Sequence, residues 1–105
     1  MRRQNIVNQI STTMRKQFPQ AVTILYGSEA RGEARADSDI DLLILLPDEL
    51  SRHDFNTMQD AVTDSLYSIE LQHGVCISYI VRQPKIWHQH QTPFTVNVAN
   101  EGIQL

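Results

Sequence analysis

The residues whose types and spacing can do chemistry lie in one run, from Tyr26-Gly27-Ser28-Glu29-Ala30-Arg31-Gly32 to Asp37-Ser38-Asp39-Ile40-Asp41 and on into Leu42-Leu43-Ile44. Gly27 stands where an apolar run ends, and the lack of a side chain there lets a phosphate come close to the backbone. Ser28 adds a hydroxyl and a backbone donor near the start of a short helical segment, so the pair forms a candidate triphosphate cradle. Asp39 and Asp41 alternate with Ile40. In extended chain that spacing sends both carboxylates to one face and Ile40 into the core. Two adjacent oxygen ligands suit Mg²⁺, which takes one or two protein carboxylates, keeps some waters and draws its remaining ligands from substrate phosphates.

An Asp-x-Asp pair alone is a weak signal, and its context decides what it can be. A calcium-binding EF-hand loop would continue with further oxygen ligands and a glycine, whereas this chain turns at once into Leu42-Leu43-Ile44-Leu45-Leu46. An aspartyl-nucleophile phosphatase places its pair after a strand; here the pair opens one. Neither Gly27 nor Gly32 leads into the lysine of a Walker loop. Arg31 is a candidate phosphate ligand, while Arg35, on the same polar loop, reads as a solvated guanidinium.

The surrounding elements must position these groups. Ile6, Ile10 and Met14 recur at helical spacing, with Arg2, Arg3, Gln4, Arg15 and Lys16 on the other faces, so an amphipathic helix precedes the stop at Pro19. Ala21 to Tyr26 reads as a buried strand that ends in the turn at Gly27. Asp39 to Leu46 reads as a central strand covered on both faces and closed by Pro47. Phe55, Met58, Val62, Leu66 and Ile69 define the longest helix, between Leu50 and Leu71, with Gly74 as its stop. Val75 to Val81 reads as a third strand, followed by short helix and irregular structure to Leu105. This order predicts an α+β fold, a mixed β-sheet with helices packed mainly on one side, in a single domain over residues 1–105.

Bulk properties narrow the partners. With 105 residues, 41% of them apolar, the chain can bury one modest core. A net charge of −3 gives none of the broad basic face with which duplex binders displace counterions, so nothing in the composition points to nucleic acid. No apolar stretch reaches the ~20 residues needed to span a bilayer, which argues against a membrane partner. One cysteine and an N-terminus unlike a secretory signal favour the cytoplasm.

The combination of Gly27-Ser28 with Asp39 and Asp41 resembles the signature of the DNA polymerase beta-like nucleotidyltransferase superfamily, and most of all its minimal, antitoxin-like members. The resemblance extends over nearly the whole chain. It implies a domain that binds a nucleoside triphosphate, commonly ATP, and transfers a nucleoside monophosphate to an acceptor hydroxyl with release of pyrophosphate. Gly27 and Ser28, with help from Arg31, would hold the β- and γ-phosphates. Asp39 and Asp41 would be the catalytic metal ligands, holding two Mg²⁺ ions once nucleotide is bound. It further implies a helical partner protein in a toxin-antitoxin pair, and self-association is compatible with it. One departure stands out. Members of this kind carry a third carboxylate on the next strand, but Val75 to Val81 contains no acid, and Ser78 stands near the position where one is expected. Glu70, the nearest alternative, reads as a structural surface residue. The alternative function is therefore a weak or inactive nucleotide-binding module that acts through a partner protein.

The remaining candidates have ordinary readings. His53, His73, His88 and His90 do not complete a zinc pattern. Cys76 reads as an inert core thiol. Trp87 and Phe94 read as packing of the tail against the sheet rather than as stacking partners for a base.

Overall fold

A computed structural model describes residues 3–105. Arg2, placed by its spacing on the polar face of the first helix, lies outside the described residues. The elements run α1 (Gln4–Gln17), β1 (Val22–Tyr26), α2 (Gly27–Ala30), β2 (Ile40–Leu45), α3 (Arg52–His73), β3 (Ile77–Arg82), α4 (Pro84–Gln89), α5 (Pro93–Glu101) and β4 (Ile103–Gln104).

The two long helices form where spacing and end signals agree. α1 buries Ile6, Val7, Ile10 and Met14 along one stripe. α3 starts at Ser51, whose hydroxyl accepts from the Asp54 N–H, and ends at Gly74 in the left-handed conformation (φ 64°) that only glycine adopts without strain. Between these caps Val62, Leu66 and Ile69 are buried. Arg3 departs from its expected place on a polar face. It is buried before the first turn of α1, and its Nε donates to Glu29 Oε1 at 2.7 Å. Glu29 is only 1% exposed, so this pair ties the first helix to α2.

The four strands are ordered β3-β2-β1-β4. β1 runs antiparallel to β2 and to β4, while β2 and β3 are parallel, so the sheet is mixed. β2 alternates between two apolar layers. Ile40, Leu42, Ile44 and Leu46 join Ile10, Met14, Val62 and Leu66 beneath α1 and α3. Leu43 and Leu45 face the other way and meet Tyr26, Val98 and the partly buried Trp87. Helices thus cover the first face fully, and the second is covered in part by the short α4 and α5.

Two sequence expectations are corrected here. The third strand starts at Ile77 rather than Val75, and Cys76, expected inside the core, is exposed just ahead of it. Val75 packs partly buried against the core and the Cys76 carbonyl accepts from the Ile40 N–H at 2.9 Å, so it is the Cys76 side chain alone that this entry into the sheet leaves outside. The irregular tail also contains more order than its composition suggests: Ile103 pairs with Leu25 and Gln104 with Ile24, and the Leu105 N–H donates to the Thr23 carbonyl at 2.8 Å.

Candidate functional site

The predicted chemical residues converge at one end of the sheet. Tyr26, the last residue of β1, pairs with Asp41 at the start of β2. Gly27 follows immediately with φ 74°, in the left-handed region that disfavours any side chain. A Cβ built on Gly27 would collide with Asp41 Oδ2. The glycine is therefore required twice, by its backbone angle and because the Asp41 carboxylate occupies the space beside it. Ser28 lies in the first turn of α2, half-buried, and its carbonyl accepts from the Glu33 N–H at 2.9 Å.

Asp39 sits just before β2 and is exposed, Ile40 is fully buried, and Asp41 is half-buried. The alternation of core-facing Ile40 and Leu42 with Asp41 puts that carboxylate on the same face of the sheet as Leu43 and Leu45. Burial raises the Asp41 carboxyl above its ordinary range, and the like charge of Asp39 raises it further, against an opposing pull from Arg31. The Tyr26 hydroxyl is also raised, by burial first and then by Asp41. A carboxylate raised by burial and by a neighbouring acid, in a partly desolvated corner, belongs to a donor set that a hard divalent cation would relieve.

No third acid reaches this corner from β3. Ser78 is the register partner of Asp41 across the parallel ladder, and it is exposed. Glu70 is engaged elsewhere, where its Oε2 accepts from the Ile77 N–H at 2.8 Å and fixes the entry into β3. Among the described residues no three His, Cys, Asp or Glu side chains are grouped so as to hold a metal ion.

One acidic residue that sequence reasoning missed does reach the turn. Glu101, the last residue of α5, accepts from the Gly27 N–H through Oε1 at 3.1 Å and from Arg31 Nη1 through Oε2 at 2.8 Å. The Arg31 bond holds the Glu101 carboxyl below its usual range, with the Gly27 amide acting in the same direction. Arg31, itself raised chiefly by this bond, also pairs with Glu33 at 3.3 Å. Arg35 lies exposed, and its N–H is taken by Ser38 Oγ. The position of Glu101 follows from the tail: continuing the pairing of Leu25 with Ile103 by two steps sets Gly27 opposite Glu101. A two-residue strand leaves no alternation to read, so only the register reveals this acid.

On the far side of Tyr26, Phe94 contacts its ring edge-to-face at 5.6 Å, and Trp87 contacts Phe94 in the same manner at 6.2 Å. These aromatics pack the tail onto the second face of the sheet, as their ordinary reading anticipates.

Comparison with known proteins adds independent weight. A crystal structure from Sulfolobus solfataricus, provisionally described as a nucleotidyltransferase, superposes with a TM-score of 0.55 at 20% identity, over 95% of this chain and 76% of that one. A toxin-antitoxin crystal structure with AMP-PNP gives 0.50 at 18% identity, over 97% and 71%. A mutant of the toxin-antitoxin MntA-HpeT gives 0.51 at 18%, over 92% and 69%. At these identities the likeness is one of fold. No curated protein matches the sequence. The profile of the "Nucleotidyltransferase domain" family matches residues 7–103, from within α1 to the start of β4. By that match the chain belongs to the nucleotidyltransferase domain family.

Proposed function

We propose that this chain is a Mg²⁺-dependent nucleotidyltransferase that moves AMP from ATP onto an acceptor hydroxyl. The bond formed joins the acceptor oxygen to the α-phosphorus, the bond broken is that from the α-phosphorus to the bridging oxygen, pyrophosphate leaves, and the hydroxyl proton passes to water. The observation that carries the reading is the meeting of Gly27 with Asp41: the turn suited to phosphates and the acid suited to a metal share one corner, with no side chain between them. Asp39 and Asp41 would hold Mg²⁺, two ions with nucleotide bound, and the ion supplies charge neutralisation at the phosphates. Gly27 and Ser28 present backbone and hydroxyl donors to the β- and γ-phosphates, and Arg31 adds a guanidinium. A cytoplasmic setting supplies both ATP and Mg²⁺. No helix of the described chain is long and apolar enough to cross a membrane.

One observation favours a second reading. Ser78 stands directly beside Asp41 where the superfamily pattern expects an acid, and a hydroxyl brings no negative charge to a second cation. On this reading the domain binds nucleotide but acts as the antitoxin-like subunit of a pair, against a helical partner protein. That two of the similar folds come from toxin-antitoxin structures is consistent with either reading.

Incubation of the purified chain with α-labelled ATP and Mg²⁺, alone and with the product of an adjacent gene, separates the two. Label on an acceptor together with released pyrophosphate, both lost in Asp39→Asn, is the expected result. Binding of ATP and Mg²⁺ without any transfer would leave the module reading in place of the enzyme.

A further inference from the structure

The two donors assigned above to nucleotide phosphates are already engaged by an anion that the protein itself supplies. Glu101 places one carboxylate oxygen on the Gly27 N–H (3.1 Å) and the other on Arg31 Nη1 (2.8 Å), as two oxygens of a phosphate would. The tail has anchors other than this acid. α5 is already fixed at its start by the reciprocal Thr92–Thr95 capping box, in its middle by buried Val98, and beyond its end by the β1–β4 pairing. Asp41 also stands nearby with the same charge, and Glu101 is among the groups that raise its carboxyl.

We infer that Glu101 is an intramolecular phosphate mimic, a plug that competes with the polyphosphate of the nucleotide for the Gly27 amide and the Arg31 guanidinium and so sets the affinity of the site. The inference rests on the nucleotide-binding reading and deepens it. Because Glu101 is the last residue of α5 and Gly102 follows, the side chain leaves the two donors either by rotating or by a small lift of the helix end. A ligand that must first displace an internal competitor binds more weakly by the fraction of molecules in which the site is open. The plug lowers the affinity of every such ligand by the same factor, so at a given concentration only those that also engage Asp39 and Asp41 through a metal would still fill the site.

The test is calorimetric titration of the wild-type chain, Glu101→Gln and Glu101→Asp with Mg²⁺-ATP and with inorganic tripolyphosphate. Gln keeps the side-chain volume and an acceptor for Gly27 but loses the charge; Asp keeps the charge but is too short to span both donors. Both variants should bind about tenfold tighter, the change expected for a site closed roughly nine-tenths of the time. Binding by the variants where the wild type shows none also supports the plug. In the wild-type chain, the carboxyl-carbon NMR resonance of Glu101 should move toward that of a solvated glutamate as tripolyphosphate is added, a readout that does not depend on any variant folding. Equal or weaker binding by folded variants, or a resonance that stays put while ligand binds, overturns the plug and leaves the nucleotide reading standing. If neither wild type nor folded variants bind either ligand, the nucleotide reading falls and the plug falls with it.

Discussion

At the residue scale, the chemistry of this site is a problem of crowded negative charge. Asp41 is held in a half-buried corner, with Asp39 alongside and Glu101 nearby, and Arg31 divides its charge between Glu101 and Glu33. Its folded-state pKa is raised, so the fold prefers the protonated acid. The stability that follows from this is fully present below the unfolded carboxylate value of about 3.9 and is lost as pH rises through the higher folded value. At neutral pH and without metal, ionised Asp41 therefore opposes folding. Asp41→Asn should raise the melting temperature by a few degrees at pH 7 in EDTA, with the gain shrinking to nothing as pH falls below the carboxylate range. Mg²⁺ should then raise the wild-type midpoint and leave the variant unmoved, because only a ligand that binds the folded site shifts the equilibrium. Circular-dichroism melts over pH, with and without Mg²⁺, read both effects; a variant that melts lower than wild type at pH 7 in EDTA would contradict the first. Gly27, Asp39 and Asp41 can be singled out as candidates in the sequence because glycine at a strand end and acids at alternating positions are local patterns. Glu101 was not, since its place depends on a strand pairing across more than seventy positions and no local pattern marks it.

At the element scale, strong end signals made the long helices readable, whereas the tail is organised by a close approach that composition does not advertise. Gly102 has an ordinary φ of −63°, so it is not needed for its backbone angle. It is needed for space. A Cβ there would lie 2.6 Å from the Val98 carbonyl oxygen and 2.7 Å from Ile24 Cγ2, between the end of α5 and the face of β1. Neither neighbour can yield cheaply: the Val98 carbonyl accepts the Gly102 N–H at 2.8 Å, and Ile24 is paired with Gln104. Gly102→Ala should cost about 1–3 kcal/mol, the usual penalty for overpacking, visible as a lower urea midpoint with an unchanged slope. A midpoint equal to wild type would mean that α5 does not approach β1 so closely. The expectation for β3 failed at its first residues for a related reason. Val75 and Cys76 have strand-like types, but α3 does not end until His73, and the Glu70 carboxylate catches the chain at Ile77. The Cys76 carbonyl already accepts from the Ile40 N–H at 2.9 Å, yet its side chain is left in solvent.

At the scale of the whole molecule, the two faces of the sheet are built to different strengths. The backbone fills a slab of 38 × 31 × 17 Å, thin because one helical layer supplies most of the cover. Beneath α1 and α3 lies the larger apolar cluster, with Ile10, Leu42, Ile44, Val62 and Leu66 fully buried. The opposite face is held by buried Tyr26, Leu43, Leu45 and Val98 with partly buried Val22, Ile24, Ile80 and Trp87 around them, α4 buries none of its own residues, and Phe94 and Val96 of α5 are exposed. Local stability follows buried apolar contact. β2, flanked by a partner strand on both edges, should open only when the molecule unfolds, while α4 and α5 can lift from the sheet with the main core intact. Native-state hydrogen exchange should therefore give Leu42–Leu45 amides an opening free energy equal to that from urea denaturation. Amides in the last turns of α4 and α5 should open at a cost lower by several kcal/mol, with little dependence on urea. If both sets exchange together, the second face is as firmly closed as the first. The asymmetry bears on the inferred plug through what α5 carries at its end: the carboxylate on Gly27 and Arg31 is borne by the less securely packed layer of the fold, and its release would leave the strand that carries Asp41 undisturbed.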